Sequence, residues 1–144
     1  MDQIEQLKIF VVDDDVFYQN IIEQYIHGLG YTEVKKFNDG LSCLKCINEN
    51  PDVVFLDYVM ETLTGYEVLK KIKRFNPNIY VVIVSSQEEI KTVVDTLKHG
   101  AFDYIQKNEL EEESVKQVLQ KIIEVKDHLK RTEPNFLRQF FQFL

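Results

Sequence analysis

Residues 55–65 read Phe-Leu-Asp-Tyr-Val-Met-Glu-Thr-Leu-Thr-Gly, and the stretch is preceded by Pro51-Asp52-Val53-Val54. An apolar run, residues 53–56, therefore ends abruptly on a carboxylate, Asp57. Bulky and β-branched residues without polar alternation, bounded by a proline and a polar loop, predict a strand covered on both faces, as in a parallel sheet. Such a strand gains nothing from an ionised group, because stripping water from a lone carboxylate is costly. Asp57 either opens a loop or takes part in chemistry, and its neighbours decide which.

Working outward, apolar runs alternate with helical patterns, the sign of βαβ units. Residues 8–12 (KIFVV) predict a first strand, followed by a helix from about Val16 to Leu29 with Tyr18, Ile21, Ile22, Tyr25, Ile26 and Leu29 on one face. Gly28 and Gly30 supply its stop. The more polar EVKKF (33–37) suits a sheet edge, and Asn38-Asp39-Gly40 turns it into a second helix. After the strand at 53–56, a third helix starts near Thr64 with Val68, Leu69, Ile72 and Phe75 inward. IYVVIV (79–84) is the most apolar strand, and the fourth helix carries Ile90, Val93, Val94 and Leu97 before Gly100. FDYIQ (102–106) is the fifth strand, and the fifth helix runs from about Glu112 to Leu129 on Val115, Val118, Leu119, Ile122 and Val125. Five strands alternating with five helices make a doubly wound α/β domain.

The bulk properties suit that reading. The chain has 144 residues, 44% hydrophobic and 28% charged, a size and composition for one globular domain. A net charge of −7 argues against direct nucleic acid or anionic membrane binding. The N-terminal MDQIEQLK has neither a basic segment nor an apolar core, so a cytoplasmic location is expected. Cys43 and Cys46 form a C-x-x-C within a helix, where packing is the simpler reading than redox chemistry.

In an open parallel sheet, ligands sit beyond the carboxyl ends of the strands. The residues that follow the strands are Asp13, Asp14 and Asp15, then Asp57, then Ser85 and Ser86, then Lys107. Structural roles absorb some of them. Asp15 suits an N-cap for the first helix. Ser86-Gln87-Glu88-Glu89 reads as a capping box for the fourth. Asp13, Asp14, Asp57, Ser85 and Lys107 are left over. Carboxylates crowded at one sheet edge repel unless a cation intervenes. An all-oxygen set points to a hard ion, Mg²⁺ or Mn²⁺ in its place. The five glycines are scattered singly, so there is no phosphate-cradling glycine loop and a nucleotide enzyme is disfavoured. What remains for such a carboxylate is to act as a nucleophile and form an acyl phosphate.

At this point the chain resembles, over about residues 5–127, the receiver domain of bacterial two-component response regulators. The blocks IFVVDDD, VVFLDYVM, TGYEVL, VVIVSS and FDYIQK occur in that family's order and spacing. The resemblance implies a flavodoxin-like sheet in the order 2-1-3-4-5 with helices on both faces, over residues 1–130. It implies that Asp57 is the phosphoacceptor for a sensor histidine kinase or a histidine phosphotransfer protein. Asp14, Asp57 and the backbone carbonyl of Val59 would hold Mg²⁺, with Asp13 acting through a bound water. Ser85 and Lys107 would contact the phosphoryl oxygens, and Tyr104 would be the switch aromatic. The face formed by the fourth helix, fifth strand and fifth helix would then change for a downstream protein effector or a homodimer partner. Two positions depart from the pattern. Asn108 follows Lys107 where a cis proline is usual, so the loop is either trans and reshaped or strained. Glu61 stands where a proline is common.

Rival readings stay in view. A haloacid-dehalogenase-like phosphatase would use Asp13 as its nucleophile, and a receiver-like interaction domain would never be phosphorylated. Otherwise the chain reads as a signalling domain whose only catalysis is Mg²⁺-dependent self-phosphorylation and self-dephosphorylation. Residues 131–144 form a short amphipathic extension in which Phe136, Leu137, Phe140, Phe141 and Leu144 would share one helical face. That face would dock on its own domain, pair two chains, or lead into an output domain.

Overall fold

The computed structural model describes residues 6–132, and the expectations for residues 133–144 lie outside that span. Five parallel strands, β1 (Ile9–Val12), β2 (Val34–Phe37), β3 (Val53–Leu56), β4 (Tyr80–Ser85) and β5 (Asp103–Gln106), form one sheet in the order 2-1-3-4-5. Between and after them run α1 (Val16–Gly28), α2 (Gly40–Lys45), α3 (Gly65–Phe75), α4 (Ile90–Lys98) and α5 (Glu112–Thr132). The fold is the flavodoxin-like, doubly wound one. The polar β2 does lie at an edge, and β3, buried at all four residues, lies in the middle.

Side chains on a strand alternate between faces, and the core divides accordingly. Ile9, Val11, Val53, Phe55, Val82 and Val84 pack under α1 and α5 with Ile22, Ile26, Val115 and Leu119. Phe10, Val12, Val54, Leu56, Val81 and Ile83 pack on the other face with Cys43, Val68, Leu69 and Ile72. The inner strands β1, β3 and β4 therefore need apolar residues on both faces, which explains their unbroken runs.

Helix starts follow local chemistry. Asp15 accepts the Phe17 N–H, Asp39 the Ser42 N–H and Thr64 the Glu67 N–H, each offsetting an orphan donor of the first turn. Gly30 and Gly100, at φ 101° and 104°, take the left-handed turn that ends α1 and α4.

Four expectations are corrected. Ser86 does not cap α4: the helix begins at Ile90 and Glu89 stands at its cap without a side-chain bond. Residues 86–89 are instead held as a loop, because Ser85 Oγ accepts the Gln87 N–H and the Tyr104 hydroxyl donates to the Gln87 carbonyl. The apolar stripe of α4 does not face the core, since Ile90 is 79% exposed and Val94 and Leu97 are also exposed. The small Thr96 is the buried residue, its hydroxyl donating to the Val93 carbonyl. Phe75 is exposed as the last residue of α3, beyond Ile72, where contact with the sheet ends. Val125 is likewise partly exposed, past the last buried residue of α5, Ile122. The Lys107–Asn108 peptide is trans, and residues Lys107–Glu109 form a 3-10 turn. No helix among the described residues is long and apolar enough to cross a membrane.

Candidate functional site at the carboxyl edge of the sheet

Register brings the acidic residues together. Val12 of β1 pairs with Leu56 of β3 on one side and Phe37 of β2 on the other, so Asp13 and Asp57 leave the sheet side by side. The Asp13 N–H donates to the Phe37 carbonyl and the Asp57 N–H to the Val12 carbonyl, which fixes both backbones. In the order 2-1-3, β1 and β3 flank the point where the chain reverses its winding, the crevice where doubly wound sheets bind ligands. One oxygen from each of Asp13, Asp14 and Asp57 lies within 4.8 Å of the others. Asp13 and Asp57 are buried, and Asp14 faces solvent.

Lys107 joins them from the far edge. Its Nζ lies 3.0 Å from Asp13 Oδ2 and 3.6 Å from Asp57 Oδ2. The Asp13 Oδ1 is taken by the Asp15 N–H at 2.9 Å. Oδ2 is close to the ammonium yet lacks hydrogen-bond geometry, and among the described residues it is the one buried side-chain polar atom without such a partner. Attraction to Lys107 holds it, but its directional demand is unmet.

Three carboxylates face one ammonium, and the imbalance shows in their acidity. Burial, then the negative charge of Asp13, push the Asp57 carboxyl up to about 7 despite Lys107 and the Val59 N–H, with Asp14 adding to the rise. Burial likewise raises Asp13, against the pull of the Asp15 N–H and of Lys107. For Lys107, burial works to lower the pKa, but Asp13 and Asp57 outweigh it and the ammonium is held above its usual range. A site so short of positive charge suits a divalent cation. The orphaned Asp13 oxygen and the oxygen-only set fit a hard ion of the Mg²⁺ kind.

The other expected residues cluster more loosely. Ser85, fully buried, pairs across β4 and β5 with Gln106, directly before Lys107. Tyr104 is half-buried, and burial raises its hydroxyl while a hydrogen bond with Ser85 opposes the rise. The Val59 N–H reaches back to Asp57 Oδ1 at 3.4 Å.

Sequence reading passed over three contributors. Gly65 stands so close to the Asp57 loop that a Cβ would lie 2.3 Å from the Asp57 carbonyl oxygen; a glycine at a helix start was the visible signal. Gln19 is buried in α1 and its amide donates to the Asp13 and Phe37 carbonyls and to Asn38; nothing in the pattern marked it. Tyr18, read as a core position, places its ring against the Lys107 ammonium. Cys43 is buried in the core with its thiol pushed up to about 12, chiefly by burial and then by Cys46 and Asp39, so packing is its role.

Comparison with known proteins finds relatives of the whole domain. The model of the response regulator receiver domain matches residues 9–121. The transcriptional regulatory protein ZraR of Klebsiella oxytoca is 41% identical over 102 residues, 70% of this chain and 23% of that protein. The chemotaxis protein CheY of Listeria monocytogenes is 33% identical over 102 residues, 70% of this chain and 86% of that one. The crystal structure of the receiver domain of NtrX from Brucella abortus superposes with a TM-score of 0.75 at 31% identity, covering 81% of this chain and 98% of that one. The chain thus spans about a quarter of the ZraR protein it matches, but most of the CheY protein.

Proposed function

The chain belongs to the response regulator receiver domain family, and from that premise we propose that it is a phosphorylation switch whose acceptor is Asp57. One observation carries the reading. Asp57 ends a fully buried strand inside a knot of two further carboxylates and one ammonium, with its own acidity weakened to about 7.

In the proposed reaction a carboxylate oxygen of Asp57 attacks the phosphorus carried on the histidine of a kinase or phosphotransfer protein. The phosphorus–nitrogen bond breaks, and an acyl phosphate remains on Asp57. Lys107 already lies between Asp13 and Asp57, so it is placed to meet the charge spread over the phosphoryl oxygens. Asp14, Asp57 and the Val59 carbonyl would hold Mg²⁺, with Asp13 assisting through water. The ion would supply neutralisation of the acidic cluster and of the incoming phosphoryl charge.

The switch is proposed to run through Gln87. Ser85 holds its N–H and Tyr104 its carbonyl, so drawing the Ser85 hydroxyl toward a phosphoryl group would release the N–H and leave Tyr104 as the remaining hold, free to shift with the loosened loop. The exposed stripe Ile90, Val94 and Leu97 on α4, together with β5 and α5, is the surface offered to an effector or to a second copy. No observation favours the phosphatase alternative, since the family match is to receiver domains.

The test is direct. The protein is incubated with Mg²⁺ and acetyl phosphate, reduced with borohydride, and mapped by mass spectrometry. Label at Asp57 supports the proposal; label at Asp13, or none, overturns it.

A further inference from the structure

We infer that Tyr18 is a positioning residue for phosphoryl transfer, acting through Lys107; the inference rests on the proposal that Asp57 is the acceptor. The Lys107 Nζ lies 4.2 Å from the centroid of the Tyr18 ring, as well as 3.0 Å from Asp13 and 3.6 Å from Asp57. The ammonium is therefore held by two carboxylates and an aromatic face. That face is itself oriented, because the Phe17 and Tyr18 rings meet edge to face, with centroids 5.4 Å apart.

The 3-10 turn that begins at Lys107 has no side-chain cap at its start. The Lys107 side chain is long, with several free torsions, and spans from the end of β5 toward the acids at the ends of β1 and β3. Ordering such a chain costs rotamer freedom, so a wall that confines it matters.

An aromatic wall suits the task better than a further acid. A carboxylate in that place would neutralise Lys107 and compete with the phosphoryl oxygens. The ring attracts the cation through its quadrupole while leaving the full positive charge available. It also shields one side of the ammonium from water, which strengthens its pull on charge developing at Asp57.

The experiment compares initial rates of Asp57 labelling by acetyl phosphate at saturating Mg²⁺. Tyr18→Leu should lower the rate about three- to tenfold, while Tyr18→Phe, which keeps the ring, should stay within about twofold of the parent. In a Lys107→Gln background, Tyr18→Leu should have no further effect, because nothing is left for the ring to hold. Three results overturn the inference: Tyr18→Leu labels as fast as the parent, Tyr18→Phe fails as badly as Tyr18→Leu, or Tyr18→Leu costs the same factor without Lys107. Parent protein that takes no label at Asp57 defeats the underlying proposal instead, so the two failures are distinguishable. Melting of each variant in Mg²⁺-free buffer separates loss of folding from loss of positioning.

Discussion

At the residue scale, the carboxylate of Asp57 is a liability to the fold that the proposed reaction would turn to use. Burial and its neighbours Asp13 and Asp14 raise the cost of ionising it, and Lys107 and the Val59 N–H offset them only in part. Asp57→Asn removes that conflict while keeping shape. Without divalent metal at pH 8 the variant should be more stable than the parent by about 1–2 kcal/mol, on the order of 5 °C in Tm. It should take no label from acetyl phosphate. A thermal melt paired with intact-mass measurement checks both, and a variant less stable than the parent would show that Asp57 is better satisfied than its surroundings indicate. Tyr104 makes the second residue-scale prediction. Tyr104→Ala removes the hydroxyl that holds the Gln87 carbonyl, so labelling at Asp57 should persist. The affinity of any effector or second copy should then lose its dependence on phosphorylation, a coupling that is typically about 5–150-fold. Titrating labelled and unlabelled variant against the partner measures it.

At the scale of elements, α3 and α4 behave in opposite ways. The start of α3 is locked to the loop after β3, where the Gly65 N–H donates to the Tyr58 carbonyl at 2.8 Å and no room remains for a side chain. Gly65→Ala should cost about 1–3 kcal/mol by overpacking, and should slow labelling because the strain is passed to Asp57 itself. Chemical denaturation and the labelling rate check the pair. By contrast α4 is lightly held, with Thr96 its buried residue. Ile90→Lys should therefore change stability by less than about 0.5 kcal/mol, while weakening partner binding across the exposed stripe. The same contrast explains what could be read from the sequence. Strands buried on both faces, such as residues 53–56 and 79–84, announce themselves because neither face tolerates a polar side chain. The acidic cluster was legible for a related reason: register places whatever follows each strand at one edge. The α4 stripe misled because periodicity shows that a helix has an apolar face and not what covers it; here that face is turned to solvent. The Ser86 capping box failed because Ser85 and Tyr104 compete for the backbone of Gln87. Gln19 and Tyr18 were illegible as site residues since the Phe37 carbonyl and the Lys107 ammonium that they meet come from distant segments that only the fold brings near.

For the whole molecule, the site ties stability to pH and to metal with a definite sign. Asp57 is raised from an ordinary 3.8 to about 7 by burial first and by Asp13 second, and Asp13 is raised as well. The folded state therefore binds more protons than the unfolded chain between those values. The stabilisation is complete below the unfolded pKa and is lost as pH rises through about 7. Lys107 does not reverse this, since its carboxylate neighbours hold it protonated across the same window. In metal-free buffer the Tm should thus fall between about pH 5 and pH 8. A divalent cation held by these carboxylates would displace the protons and so stabilise the fold by RT ln(1 + [L]/Kd), roughly 2.7 kcal/mol at a hundredfold excess over Kd. Because protons compete for the same oxygens, the Mg²⁺-induced rise in Tm should be small at pH 5 and large at pH 8. A chelator should abolish it, and it should shrink in Asp57→Asn. Differential scanning calorimetry at several pH values, with Mg²⁺ and with chelator, measures all of this in one series. A metal effect that is flat across that range would mean that the ion binds elsewhere, and that the carboxylates at the end of β1 and β3 are not its ligands.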